Sequence, residues 1–156
     1  MYEDSEKSLI PFLEAACARK AENIVAMDLG NLVSYADTFL VMSVNSTRQA
    51  RAVADHMRRK LKEVHIKPLG IDGVEEGQWV LMDYGDVVIH IFHEPVRSFY
   101  DLEGLWADAP RFAEELIASM AEKALETPDP EAEQEVFWEW EDDEAPALDD
   151  EGEEDA

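Results

Sequence analysis

The sequence predicts a single small α/β domain followed by an acidic tail. Five short runs of strand-forming residues alternate with segments in which apolar residues recur at helical spacing. Two of the strand-like runs are separated by only two residues, as in a β-hairpin. A chain of 156 residues is long enough for one such domain with a substantial core. We therefore expect a folded domain over residues 1–126 and a tail over residues 127–156.

The first third of the chain begins with a helix and continues with two strands. Ser8 can cap a helix that runs to about Ala21, with Pro11 tolerated in its first turn. Strands are predicted from Asn23 to Leu29 and from Thr38 to Val44, because both runs are rich in residues that suit a pleated surface.

Asn45 or Ser46 opens the most regular helix in the sequence. Its apolar stripe, with steps of three and four residues, consists of Ala50, Val53, Ala54, Met57, Leu61 and Val64. Its other face is basic and carries Arg48, Arg51, Arg58, Arg59 and Lys62. The simplest interpretation is a solvated charged face. Contact with RNA or with a second protomer is the alternative.

The hairpin is the strongest local pattern. A short third strand is expected from Lys67 to Ile71. Trp79–Tyr84 and Val87–His93 then form two strands joined by Gly85-Asp86, and glycine in the first loop position is what a type II′ turn requires.

The hairpin register divides its side chains between two faces. One face is almost wholly apolar and is predicted to face the core: Val80, Met82, Tyr84, Val87, Ile89 and Ile91. The other face mixes aromatic and polar groups: Trp79, Leu81, Asp83, Val88, His90 and Phe92. Such a mixture favours a partly exposed contact surface over a sealed core.

The C-terminal third is predicted to contain two helices and the tail. Pro95 can start a helix with apolar positions at Phe99, Leu102, Leu105 and Trp106. The last helix is expected over Arg111–Leu125, with Pro128 and Pro130 ending it. Beyond them the composition predicts disorder. The exception is the aromatic cluster Val136–Trp140, which either docks on a partner as a short motif or folds back on the domain.

The acidic charge is unevenly distributed. Of 37 Asp and Glu residues, 15 lie between Thr127 and Ala156, a stretch without Lys or Arg. The remainder holds 22 acidic and 13 basic residues. Because nucleic-acid affinity comes mainly from Lys and Arg, this balance argues against a DNA-binding protein. A basic protein surface is a better match for it.

Composition also limits the compartment and the kinds of site. Cys17 is the only cysteine, so there is no internal disulfide or multi-cysteine zinc site. The start lacks the pattern of a signal peptide, and no apolar run approaches the roughly 20 residues that span a bilayer. His90 and His93 point to opposite faces of one strand, and His56 and His65 are too far apart for one ion. We expect a cytoplasmic protein without a membrane or metal site.

No catalytic constellation is visible. The sequence lacks a nucleophile elbow, a phosphate-binding loop and a dinucleotide fingerprint. Asp101 and Glu103 fall on different sides of a predicted helix, and Asp83 and Asp86 straddle the hairpin turn. The expectation is a protein that is not an enzyme and needs no cofactor.

Two long stretches nevertheless carry a specific resemblance. They are Asp83–Phe92 and Arg97–Trp106, supported by Tyr35-Ala36-Asp37 and by Gly70-Ile71-Asp72-Gly73 ahead of Trp79. Together they resemble the signature of the Iojap family of ribosomal silencing factors. The resemblance covers about Lys20 to Glu114, and nothing obvious in it corresponds to the tail.

The resemblance implies a small α/β domain with a mixed sheet of about five strands flanked by helices, similar to a minimal nucleotidyltransferase core. It further implies a homodimer that binds the fourteenth protein of the large ribosomal subunit. Binding there sterically blocks the small subunit and represses translation under nutrient limitation. This chain lacks the Gly-Ser pair and the strand D-x-D of a working transferase, so fold kinship does not carry that activity.

Hairpin geometry and the family motif together select Trp79, Asp83, Tyr84 and Asp86 as partner-binding residues. Two structural alternatives stay open, because Trp79 can equally be a packing residue and Tyr84 falls on the predicted core face. Two functional alternatives also remain. One is an assembly factor for the large subunit, and the other is a degenerate nucleotidyltransferase.

Overall fold

A computed structural model describes residues 3–126, which fold into one mixed β-sheet with helices on both faces. The elements, in chain order, are α1 (Glu3–Ala18), β1 (Glu22–Asp28), β2 (Thr38–Val44), α2 (Thr47–Glu63), β3 (Gly70–Asp72), β4 (Trp79–Asp83), β5 (Val87–His93), α3 (Glu94–Tyr100), α4 (Leu102–Leu105), β6 (Arg111–Phe112) and α5 (Glu114–Leu125). The predicted α/β class is confirmed.

The sheet has the strand order β3-β4-β5-β2-β1-β6. Within the described residues, β2 and β5 pair in parallel and the other neighbouring strands pair antiparallel. The sixth strand, Arg111–Phe112, was predicted as helix. It pairs with Met27 and Ala26 of β1, and Ala113 then adopts φ 61°, so α5 cannot begin before Glu114.

The predicted start of α1 is wrong. The helix begins at Glu3, where acidic side chains of the first turn suit the positive end of the helix dipole. Ser8 lies inside the helix and its hydroxyl donates to the Ser5 carbonyl oxygen at 2.7 Å. Pro11 therefore lies in the middle of the helix instead of its first turn.

Two further element boundaries differ from prediction for local reasons. The third strand covers Gly70–Asp72 only, and Pro68 inside the predicted run has no N–H for a strand ladder. The helix expected after Pro95 is broken at Asp101, which has φ 48° and ψ 56°. The Asp101 carboxylate then accepts the Gly104 N–H at 3.2 Å and caps α4.

The hairpin register is confirmed. Trp79 pairs with Phe92, Leu81 with His90 and Asp83 with Val88. The Tyr84 N–H donates to the Val87 carbonyl oxygen at 2.9 Å, and Gly85 has φ 88°, as the two-residue turn requires.

An inner core lies between the sheet and the layer formed by α1, α2 and α5. The predicted core-face residues all contribute to it, with Tyr84 only half-buried: Val80, Met82, Tyr84, Val87, Ile89 and Ile91. Ser46 caps α2 by accepting the Gln49 N–H at 3.0 Å. The α2 stripe is buried as far as Leu61, whereas Val64 at the C-cap is exposed.

The basic face of α2 is only partly solvated, which corrects the simplest interpretation. Arg58 is buried, and its Nη2 lies 2.9 Å from Oδ1 of Asp55. Asp55 also binds Arg59 at 2.9 Å, while Arg51 donates to the Glu75 carbonyl oxygen.

An outer core covers the opposite face of the sheet. Val88, His90 and Phe92 of β5 are buried in it, so the expectation that this face is open is wrong for β5. The reason is that α3 packs on β5 and β2, and Leu102 and Trp106 extend the cover. On β4, Trp79, Leu81 and Asp83 remain half-buried.

His90 is enclosed by rings in this outer core. Its ring centroid lies 4.5 Å from that of Phe39, and its Nδ1 accepts a hydrogen bond from the Trp79 indole N–H at 3.1 Å. An accepting Nδ1 places the proton of the neutral ring on Nε2. Burial lowers the pKa of His90 to about 4, because the charged form is poorly solvated there.

Replacing Ile89 with alanine should destabilise the fold by roughly 2–5 kcal/mol, since it leaves a cavity in the inner core. Chemical denaturation followed by circular dichroism measures the loss. Leu69→Ala is the matched control, because Leu69 is 75% exposed. Equal stability losses for the two variants would contradict the assignment of the core face.

His90 should make the fold acid-sensitive in a defined window. Its folded pKa is lowered, so its neutral ring stabilises the fold above the unfolded pKa of about 6.5, and this stability is lost as pH falls towards 4. The loss is on the order of 3 kcal/mol for a shift of this size. Melting temperatures from pH 7 to pH 4 should therefore fall more steeply for the parent than for His90→Gln. Parallel curves would show that folding does not lower the pKa of His90.

Candidate functional site

Three rings form an exposed aromatic patch on the outer face of the molecule. The Tyr100 ring centroid lies 5.1 Å from those of both Trp79 and Phe99. Phe99 is 80% exposed and Tyr100 is 54% exposed. Large apolar side chains grouped in this way at a surface are typical of an interaction site.

The position of the patch follows from the way α3 packs. Arg97 is buried and Val96 packs against the outer core, so these residues define the inward face of the helix. Phe99 and Tyr100 follow in the last turn of α3, and both side chains are largely exposed there. Leu105 of α4 is also 74% exposed, whereas Leu102 is buried. Neither helix buries all the apolar positions that its sequence suggests.

Trp79 belongs both to the aromatic patch and to the outer core. Its ring centroid lies 4.8 Å from that of Phe92, which is fully buried, and its indole N–H is bonded to His90. The side chain is half-buried. Its removal would therefore change packing as well as any contact with a partner.

The two acidic candidates lie at the far end of the hairpin from Trp79. Asp83 is four residues along the strand, a distance of about 13 Å. Its Oδ1 accepts the Gly85 N–H at 2.8 Å and so shapes the turn. Asp86 has an exposed side chain, while its carbonyl oxygen accepts the N–H groups of Asp37 and Thr38 at 2.8 and 3.0 Å.

Tyr84 lies on the opposite side of the sheet from the aromatic patch. Its ring meets Phe12 edge-on at a centroid distance of 5.3 Å, within the inner core. Burial raises the pKa of its phenol, and the positive charge of Arg58 opposes that rise. The structure thus brings Asp83 and Asp86 together, keeps Trp79 on the same hairpin, and directs Tyr84 into the core.

Sequence reasoning missed Phe99 and Tyr100 as surface residues. The periodicity treated Phe99 as a core position of one continuous helix, but the break at Asp101 ends α3 immediately after these rings. The signal that could have found them lies in the signature stretch Arg97–Trp106, which contains both residues.

Other chemically notable groups lie away from this surface. Cys17 is buried in α1, and desolvation raises the pKa of its thiol, with Lys20 opposing. Between residues 3 and 126, His, Cys, Asp and Glu side chains do not gather in a group of three or more that could hold a metal ion. Over the same residues, no helix combines the length and apolar character needed to span a membrane.

Comparison with protein families gives a match over residues 2–139 to the family described as "Ribosomal silencing factor during starvation". Ribosomal silencing factor RsfS of Bacillus subtilis is 41% identical over 107 residues, which is 68% of this chain and 91% of that protein. The chloroplastic protein Iojap of Zea mays is 30% identical over 100 residues, or 64% of this chain and 43% of that protein.

Solved structures give the same assignment of fold. A crystal structure of a protein from Chromobacterium violaceum aligns with a TM-score of 0.62 at 36% identity, covering 69% of this chain and 88% of that one. A second, from Bacillus halodurans, aligns with a TM-score of 0.61 at 35% identity, covering 68% of this chain and 96% of that one. With the family match extending over most of its length, the chain belongs to the family of ribosomal silencing factors.

Proposed function

We propose that this protein binds the large ribosomal subunit through its fourteenth protein and blocks association with the small subunit. Translation is thereby repressed when nutrients are scarce, in line with the starvation role in the family's description. The aromatic patch is the observation that carries the proposal, because it is the exposed apolar surface that includes one of the predicted contact residues.

The patch has the composition of a binding anchor. Aromatic residues that become desolvated at the centre of an interface supply most of its binding energy. Phe99 and Tyr100 are largely exposed in the free chain, so covering them removes apolar area from water. Trp79 supplies a rigid floor through its contacts with Phe92 and His90.

Acidic groups beside the hairpin supply the electrostatic part of recognition. Asp86 is exposed at the turn, and Asp83 and Asp72 lie on the neighbouring strands. Such groups attract a basic protein surface and repel the phosphates of nucleic acid. The basic face of α2 lies in the layer on the other side of the sheet, so the proposal does not use it.

The proposed mechanism is steric and makes or breaks no bond. A folded domain held on the face where the subunits join occupies space that the small subunit needs. The matched family and the Bacillus subtilis relative are described as ribosomal silencing factors, which supports a regulatory role over an enzymatic one. We place the protein in the cytoplasm with the ribosomes and propose a homodimer for the free chain, in which the exposed rings would offer an apolar contact surface.

Sedimentation with separated ribosomal subunits tests the proposal directly. The purified chain should sediment with large subunits and not with small ones, and it should reduce the formation of joined ribosomes. Equal binding to both subunits, or to neither, would refute it. Binding to precursor particles in preference to mature large subunits would instead indicate an assembly factor.

Phe99→Ala should weaken binding to the large subunit without unfolding the domain. Loss of an interfacial aromatic anchor typically costs on the order of 2 kcal/mol, or roughly a thirtyfold loss of affinity. Val64→Ala is the control, since Val64 is also exposed but lies at the end of α2 in the other layer. Unchanged affinity of Phe99→Ala, with unchanged melting temperatures, would remove the patch from the interface.

Trp79→Ala should both weaken binding and lower the melting temperature, because Trp79 also packs in the outer core.

Asp86→Lys should mainly slow association and alter its dependence on salt, because a charge at the rim of an interface steers encounter. Asp83→Lys should act similarly but also disturb the turn, since its carboxylate holds the Gly85 N–H. Association rates measured by surface plasmon resonance at two ionic strengths check the effect. Glu115→Lys makes the same charge change at an exposed position of α5 and should leave the rate nearly unchanged. If Asp86→Lys and Glu115→Lys slow association equally, the change in net charge is responsible and a local contact is not.

A further inference from the structure

A partly open groove of about 610 Å³ lies beside β1, between the end of α1 and the length of α5. Its apolar lining includes Ala21, Ile24, Ile117, Ala118 and Ala121. The small side chains of α5 leave space that would fit several rings, and the volume is within the range of ligand pockets. This groove is separate from the aromatic patch, since α5 belongs to the inner-core layer.

The charges around the groove are balanced. Lys20 and Arg111 contribute two positive charges to its lining, and Glu22 and Glu114 contribute two negative ones. An acidic segment would therefore meet no net repulsion there. Selection of an occupant depends instead on apolar surface and on backbone hydrogen bonding.

The groove also contains an open strand edge. β6 pairs with β1 only at Ala26 and Met27, because the chain turns away at Ala113 into α5. In the part of the chain that the structure describes, no strand pairs with Ile24 or Val25 on that side. The open edge stops there, because Asn23 has φ 53° and its carbonyl oxygen accepts a hydrogen bond from Arg97. An unpaired edge offers N–H and C=O groups to an added extended segment.

The chain's own C-terminal segment begins at this groove. Ala124 and Leu125 line it, and Lys20 Nζ donates a hydrogen bond to the Ala124 carbonyl oxygen. Val136 lies ten positions after Glu126, and an extended chain over ten steps reaches about 33 Å. α5, with 12 residues, is only about 18 Å long. Val136–Trp140 can therefore reach every part of the groove.

The sequence of that segment suits an added strand. Valine, phenylalanine and tryptophan all favour extended structure, and the five residues contain neither proline nor glycine. In an extended backbone, Val136, Trp138 and Trp140 share one face. The family match continues past Glu126 to Glu139, so it includes most of this cluster and not only the domain that carries the signature.

We propose that Val136–Trp140 pairs with the open edge of β1 as an extended segment and inserts Trp138 and Trp140 into the groove. This contact lies within one chain, so its test does not depend on whether the protein binds the ribosome. Of the two interpretations of the cluster, it corresponds to folding back on the domain.

Nuclear magnetic resonance of the full chain tests the contact. The test uses a triple variant with Phe137→Ser, Trp138→Ser and Trp140→Ser. It should shift the amide resonances of Ile24, Ala118 and Ala121 and speed hydrogen exchange at Ile24 and Val25. The melting temperature should fall by about 4 °C, the size of shift that a modest loss of packing produces in a domain of this length. Leu148→Ser is the matched control, because it removes an apolar residue from the same tail outside the cluster.

A substitution on the groove side provides the reciprocal test. Ala121→Arg fills the groove and should shift the indole resonances of Trp138 and Trp140. If that variant does not fold, Ala118→Arg at an exposed position of the lining replaces it. If the amide resonances of the groove residues do not shift in the triple variant, the proposal is overturned. Shifts that grow with protein concentration would also overturn it, because they would identify a second copy as the occupant.

Discussion

The buried guanidinium of Arg97 is the constraint on which the outer layer depends. A charge removed from water must be paired and hydrogen-bonded. Arg97 meets this requirement by donating to the Asn23 carbonyl oxygen and the Ser43 hydroxyl at 2.7 Å, while its Nη2 lies 2.6 Å from Oε2 of Glu103. The hydrogen bond from Arg97 also lowers the pKa of the Glu103 carboxyl, which keeps the pair charged. One side chain of α3 thus fixes β1, β2 and α4 relative to each other.

The contacts of Arg97 explain how the short helix α3 can present aromatic rings to solvent at a fixed position. α3 has seven residues, too few to be stable by itself in water. Because Arg97 is held from three sides, the position of α3 on the sheet is fixed, and Phe99 and Tyr100 are exposed at its end. Glycine at position 104 is part of the same arrangement, since a Cβ on it would lie 2.2 Å from an Asp101 carboxylate oxygen. The aromatic patch is therefore preorganised, which lowers the entropic cost of binding a partner.

The elements that were predicted correctly depend on interactions between residues that are close in the sequence. Thr38–Val44, the hairpin register and the Ser46 cap were predictable because alternation, a two-residue turn and a capping side chain act over a few residues. The strand Arg111–Phe112 was not predictable in this way, because two residues form a strand only when β1 lies beside them. The outer face of β5 looked open for a related reason. Its mixture of His90, Val88 and Phe92 is polar enough for a surface, and only the packing of α3, which Arg97 directs from a distance in the sequence, shows that it is sealed.

The bond between Trp79 and His90 links the surface to the core beneath it. An indole N–H needs an acceptor when it is partly buried, and the neutral imidazole supplies one at 3.1 Å. Protonation would turn that acceptor into a donor, so the arrangement that orients Trp79 requires the unprotonated ring. The same burial that lowers the pKa of His90 therefore keeps its Nδ1 available as an acceptor for the Trp79 indole N–H at neutral pH. A patch with a fixed floor and two exposed rings suits the steric role proposed above, since occupying a surface requires a stable fit to the partner.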